Sequence, residues 1–173
     1  LKNFVLFSED IKILAGYHQY FAVNKALESV HEAIGGDGKG GVFWHTQGSG
    51  KSLSMVFLAH LLEEKLNSPT IVVITDRNDL DSQLFTQFSK CADFLRQTPV
   101  QAQSRADLAK QISSRRANGI IFTTMQKFEE ETSALSEREN VVVMVDEAHR
   151  GQYGFEEKFD REGKKHTGTA LLI

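Results

Sequence analysis

One cysteine in 173 residues is the first thing the sequence has little of. Cys91 has no partner in the chain, which excludes an internal disulfide and the paired spacing of a zinc ribbon, and fits a reducing, cytoplasmic setting. Alone it reads as a small buried or half-buried hydrophobe. No run of about 18 apolar residues occurs, so no segment is expected to cross a membrane as a helix. The opening LKNFVLFSED does not form a signal peptide, because Glu9 and Asp10 interrupt its apolar stretch. There is no initiator Met, and the chain reads as a piece of something longer. Neither sign of charge dominates. Twenty basic against 23 acidic residues leave a formal −3, so no global basic field exists and any nucleic-acid contact falls to local loops.

What is present is ordinary for a globular domain with a core: 40% apolar and 25% charged residues in a length suited to one domain. No internal repeat occurs. Four short apolar runs read as strands: Gly41–Trp44, Ile71–Ile74, Ile120–Thr123 and Val141–Val145. They are continuous rather than alternating, the pattern of strands covered on both faces in a parallel sheet. Helical stretches lie among them. In Tyr20–Ile34 the apolar positions follow the 3.6 period. Ser52–Leu66 follows the first strand; Leu80–Leu95 and Ser104–Ala117 follow the second. Ser104 with Asp107 resembles a capping box, and Gly119 is placed to close that helix. Alternating strands and helices imply right-handed crossovers and a layered α/β sheet. Gly35–Gly41 reads as a flexible loop, Glu129–Asn140 as a surface excursion, and Gly154–Lys165 as a partly covered helix.

His45-Thr-Gln-Gly-Ser-Gly-Lys-Ser52 falls between a strand and a helix, the context a phosphate loop needs. Gly48 and Gly50 let the backbone curl so that successive N–H groups face phosphate oxygens, and the helix behind adds its dipole. Gln47, Gly48, Ser49 and Gly50 would form the cradle. Lys51 would reach the β- and γ-phosphates, and the Ser52 hydroxyl would ligate Mg²⁺. His45 stands where the full pattern has Gly. The plainer reading of the stretch is a Gly-Ser turn before a helix. Later in the chain, Val141–Val145 runs into Asp146-Glu147-Ala148-His149. This sets two carboxylates at the carboxyl end of a buried strand, where open α/β sheets place ligands. Asp146 would hold Mg²⁺ and Glu147 would orient and deprotonate the attacking water. The plainer reading here is a strand ending in a polar turn. The two motifs together are more specific than either alone.

TQGSGKS with DEAH resembles helicase superfamily 2. Five segments together resemble the restriction (R) subunit of type I restriction–modification enzymes over nearly the whole chain. They are GYHQYFAV at Gly16–Val23, TQGSGKS, VVITDRNDLDSQ at Val72–Gln83, TTMQKF at Thr123–Phe128 and DEAHRGQYG. That resemblance implies a single RecA-like lobe with a mostly parallel sheet and helices on both faces. By the same resemblance, residues 1–34 would be a lead-in carrying the adenine-reading segment, and 41–173 the phosphate-loop core. A nuclease domain and a second RecA-like lobe would lie outside this chain. The implied activity is ATP hydrolysis driving translocation of double-stranded DNA, gripped by its backbone, alongside methylation and specificity subunits. Catalysis would fall to Lys51, Asp146 and Glu147, with ATP and Mg²⁺ as cofactors.

Gln19 matches the family's adenine-reading glutamine, with Tyr17 or Tyr20 as a stacking partner for the base; a solvated helix residue is the alternative. Arg77, Gln83, Thr124, Gln126 and Lys127 fall in loops that grip the DNA backbone in the family. For Arg77 an ion pair with Asp79 or Asp81 is equally open. His149 and Arg150 would couple the nucleotide state to the neighbouring lobe, a structural role for His149 being the alternative. Ser113–Arg116 reads as a solvated helix end. Thr167-Gly-Thr169 looks like a helicase T-G-T-P motif, but with Ala170 for Pro and no apolar strand before it, it reads as a loop before a helix. Two other classes stay open: a lobe that binds nucleotide without turnover, and another superfamily 2 motor.

Overall fold

The computed structural model describes residues 2–8, 11–44, 46, 48–75, 83–129, 135–136, 138–146 and 169–172. After a 3₁₀ turn (Lys2–Phe4), β1 (Val5–Ser8) and β2 (Ile11–Leu14) form an antiparallel pair of their own, and α1 (Tyr17–Ile34) follows. The main sheet then takes β3 (Lys39–Val42), β4 (Thr70–Thr75), β5 (Val100–Gln101), β6 (Ile120–Thr124), β7 (Val141–Val145) and β8 (Thr169–Leu172). Its order is β3-β8-β7-β4-β6-β5, and every pairing is parallel. The helices α2 (Lys51–Lys65), α3 (Gln83–Lys90), α4 (Ala92–Leu95), α5 (Arg105–Ser113) and α6 (Met125–Glu129) lie between strands in sequence.

The continuous apolar runs resolve into two faces, because successive side chains of a strand point to opposite sides. Ile71, Val73, Ile120, Phe122, Val142 and Met144 join one core with α1, α2 and α3. Val72, Ile74, Ile121, Val141 and Val145 join another with Leu108 and Ile112 of α5. Helices therefore cover both faces, as a two-sided apolar sheet requires. On α1, Gln19, Val23, Ala26, Val30 and Ala33 form the buried stripe at alternating spacings of four and three. α2 is buried nearly all round, with Met55, Val56, Phe57, Leu58, Ala59, Leu61 and Leu62 in the core. Truncating Phe57 to Ala would cost about 3–5 kcal/mol.

Several expectations change. The first strand begins at Lys39, inside the glycine-rich stretch taken for a loop, and ends at Val42. A register shift between Lys39 and Gly41 absorbs the irregular backbone, with Gly41 at φ 100°. Leu80–Leu95 is not one helix: within its described part the chain breaks at Cys91, and Phe88, Cys91 and Leu95 all stay fully buried. α5 stops at Ser113 rather than 117. The hydroxyls of Ser113 and Ser114 donate back to the carbonyls of Ala109 and Gln111 (2.8 and 3.3 Å), competing with further turns. Gly119 does not cap that helix; at φ 111° it turns the chain into β6. Ser104 Oγ does accept the Asp107 N–H (3.1 Å), while the Asp107 carboxylate reaches back to Gln103 N (2.9 Å). Thr169–Leu172 is a strand, not a loop before a helix: it fills the slot between β3 and β7, a placement set by distant pairing partners. The end of 129–140 is no surface excursion. Leu135 packs on the second core, and the Arg138 guanidinium donates to Ile112 O (2.7 Å), Arg116 O (3.1 Å) and Thr70 Oγ1 (3.2 Å). The segment 154–165 lies outside the described residues.

Candidate active site

Parallel strands bring every β–α connection to one edge of the sheet. Thr75 pairs with Thr124 and Ile74 with Val145, while Asp146 N donates to Ile74 O (2.9 Å). Asp146 and the ends of β4 and β6 are therefore level with one another, at the carboxyl edge. The loop from β3 into α2 arrives at the same edge. Gly48 and Gly50 both take left-handed backbone, φ 80° and 81°, which an L side chain enters only with strain. Ser49 closes a tight turn, its N–H and hydroxyl both donating to Thr46 O (3.1 and 2.6 Å). At Gly48 a Cβ would meet nothing within 4 Å, so the loop is open there.

Lys51 opens α2 and sends its ammonium to Asp146, with Nζ 3.1 Å from Oδ1. Their side chains are 29% and 13% exposed. Two charges separated by the full length of α2, β4 and the β7 connection in sequence thus meet at one point. Ser52, the second residue of α2, is half-buried beside them in sequence.

Gln19 takes a place the sequence did not suggest. It is buried, its Oε1 accepts from Gly16 N (2.9 Å) and its Nε2 donates to Gly50 O (2.9 Å). Both ends of the amide are engaged within the protein. Tyr17, 80% exposed, packs its ring on Phe21, whereas Tyr20 leans on Phe4. Of the residues expected to meet DNA, Gln83 and Gln126 are exposed at the starts of α3 and α6. Lys127 is half-buried and donates to Ala102 O (3.1 Å). Thr124 is buried, so it offers no exposed hydroxyl to a phosphate. Gln47, Asp76, Arg77, Glu147, His149 and Arg150 lie outside the described residues. Sequence reasoning overlooked His18, whose Nε2 lies 3.0 Å from Ser49 O; its position next to Gln19 is the one signal that marks it.

The residues present fit a nucleoside triphosphate with a hard divalent cation. Left-handed glycines open the loop, a cation and a carboxylate face each other across it, and a helix N-terminus lies behind. Among the described residues no helix is long and apolar enough to cross a membrane.

Comparison with known proteins agrees with this arrangement. The family profile of the SWI2/SNF2 ATPases matches residues 18–171. The chain is 49% identical, over 98% of its length, to the type I restriction enzyme HindI endonuclease subunit of Haemophilus influenzae, and covers 17% of that protein. It is 36% identical, over 89% of its length, to the putative type I restriction enzyme MjaIXP endonuclease subunit of Methanocaldococcus jannaschii, covering 15% of it. A Staphylococcus saprophyticus endonuclease subunit of the same kind is 29% identical over 89% of the chain and is covered to 17%. With an all-parallel sheet, helices on both faces and a glycine loop facing an acidic strand end, the chain belongs to the SWI2/SNF2 ATPase family, and it is similar to a segment of type I restriction endonuclease subunits.

Proposed function

We propose that this chain binds and hydrolyses ATP to drive translocation of double-stranded DNA, as the motor lobe of a type I restriction endonuclease subunit. The observation that carries the reading is the Lys51–Asp146 pair at the carboxyl edge, 3.1 Å apart beside the phosphate loop. With ATP in place, Lys51 would turn from Asp146 to the β- and γ-phosphates, and the loop from Gln47 to Gly50 would cradle them. Ser52 and Asp146 would hold Mg²⁺, which neutralises charge on the phosphates when bound. Glu147 would orient the attacking water and take its proton. Gln19 would read adenine by exchanging its bond to Gly50 for the base. Arg77, Gln83, Gln126 and Lys127 would meet the DNA backbone. Thr124, the last residue of β6, would join this set only by holding the connection that follows, its own hydroxyl being buried. His149 and Arg150 would pass the nucleotide state to a facing lobe. The whole assembly would include methylation and specificity subunits.

The test is phosphate release by the full-length protein with and without nucleic acid. Duplex DNA should stimulate it; stimulation by RNA and not by duplex DNA would replace this reading with another superfamily 2 motor. A second reading, binding without turnover by this lobe alone, is favoured by the arginines. Arg138 donates to groups at the amino edge of the sheet, and Arg96 lines a crevice there with Ser68 and Glu63, far from Lys51. A transition state served by an arginine finger gains about 10³–10⁵ in rate. If a facing lobe supplies that finger, residues 1–173 alone should release phosphate very slowly, and DNA should add little.

A further inference from the structure

The amino end of α1 reaches the phosphate loop with two successive side chains on two successive carbonyls. His18 Nε2 lies 3.0 Å from Ser49 O and Gln19 Nε2 donates to Gly50 O at 2.9 Å. A carbonyl oxygen can only accept, so the His18 Nε2 carries the proton in this contact. Two glycines make room for the arrangement. A Cβ on Gly16 would come 3.0 Å from His18 Cε1, and one on Gly50 would come 2.7 Å from Gln19 Nε2. The first lets the imidazole fold back over the helix start; the second lets the amide approach the loop backbone.

We propose that His18 is a positioning residue of the phosphate loop, forming with Gln19 a clasp that sets the direction of the loop's N–H groups. The physical link is the planar trans peptide, in which C=O and the following N–H point in opposite directions. Drawing Ser49 O toward α1 aims the Gly50 N–H away from α1. Drawing Gly50 O toward α1 does the same for the Lys51 N–H. Those two N–H groups are among the donors that a phosphate loop offers. His18 therefore acts on the phosphates through the backbone and touches neither base nor phosphate. Gln19 has a double office in this reading, since a ligand that drew its amide away would loosen the hold on Gly50 O. This inference rests on the ATP-site reading for its ligand, but the clasp itself is tested without one.

In the full-length protein without nucleotide, hydrogen exchange is followed at the Ser49 and Ser54 amides, which are bonded to Thr46 O and Gly50 O (3.1 and 3.0 Å). His18→Ala should speed their exchange by about three- to tenfold, the loss expected for one hydrogen bond. His18→Gln, whose terminal amide donates at a similar reach, should restore protection. Affinities for ATP, GTP and inorganic tripolyphosphate should fall in His18→Ala by a common factor of the same size. Unchanged exchange in His18→Ala overturns the clasp, as does failure of His18→Gln to rescue it. A loss confined to ATP would assign His18 to the base instead. A wild-type protein that binds neither ATP nor tripolyphosphate would sink the ATP-site reading, and the exchange measurement would still decide the clasp.

Discussion

The two edges of the same sheet are built on opposite plans. At the amino edge polar groups close on the backbone. Arg138 donates to two carbonyls and to Thr70 Oγ1, which itself donates to Asn118 O (3.0 Å). Gln97 spans Glu63 and Gly119 N, and Asn118 reaches both of these as well. Nothing in that network needs a ligand to be complete. At the carboxyl edge a lysine and a carboxylate hold each other in front of an open glycine loop. Charge-assisted contacts of this sort are strong, and in the proposed ATP site a triphosphate would offer the lysine a second partner. One edge stores stability and the other stores a choice of partners. Substitutions at the two edges should therefore separate activity from stability.

The largest separation is expected at Lys51. In the full-length protein Lys51→Ala should cut ATP hydrolysis by at least about a hundredfold, since it removes the loop's cation. Protection of the core amides should be unchanged. An unaltered rate would remove the phosphate-loop assignment. Glu147→Gln should lower turnover by about 10²–10⁴ while leaving ATP·Mg²⁺ affinity near normal, because the amide keeps the size of the carboxylate but takes no proton. If affinity collapsed with turnover, Glu147 would be structural.

Arg138→Ala should reverse the pattern. It leaves three amino-edge acceptors without their donor, and should cost about 2 kcal/mol. Exchange at the Thr70 and Ile71 amides, bonded to Asn140 O and Gly119 O, should then rise roughly thirtyfold. ATP affinity should stay as it was. A fall in affinity as large as the gain in exchange would mean that the two edges are not independent.

The same contrast explains what could be read from the sequence. Val141–Val145 is a strand over the residues expected, because an unbroken β-branched run buried on both faces leaves little else open. That Lys51 and Asp146 meet could be anticipated from the sequence, because the proposed nucleotide chemistry demands specific residue types at fixed spacing. β8 was not, since four residues ending in Ala170-Leu-Leu172 become a strand only through partners far away in sequence. The β1–β2 pair was missed because each strand has four residues, too short for a period to emerge. Arg138 sits in a polar stretch that looks solvated; its burial depends on carbonyls of two other segments. Gln19 could be picked from the sequence as a candidate, whereas its bond to Gly50 O required knowing where the start of α1 lies.

The smallest effect concerns pH, and it tests whether the amino edge is as closed as its hydrogen bonds suggest. His60 stacks on Phe94 with centroids 4.2 Å apart, and burial holds its pKa below the ordinary 6.5. Nearby Glu64 opposes that shift and Arg96 reinforces it. A depressed histidine contributes stability that is complete above its ordinary pKa and is lost as pH falls below it, because the unfolded chain takes up the proton first. Glu63 beside it moves the other way. Burial raises its pKa above 4.5, against the hydrogen bonds from Gln97 and Asn118. Its contribution is present at low pH and is lost as pH rises through the raised value. As pH falls from 6.5 toward 4.5 the two contributions change in opposite senses, so each offsets part of the other in the wild-type protein. His60→Phe keeps the ring against Phe94 and removes the histidine slope. In that variant, protection at the Thr70 and Ile71 amides, after correction for intrinsic exchange, should increase on acidification, since Glu63 alone remains. In Glu63→Gln it should decrease. Identical pH slopes in both variants would show that neither group is held by the edge, and that solvent reaches this network as freely as it reaches the phosphate loop.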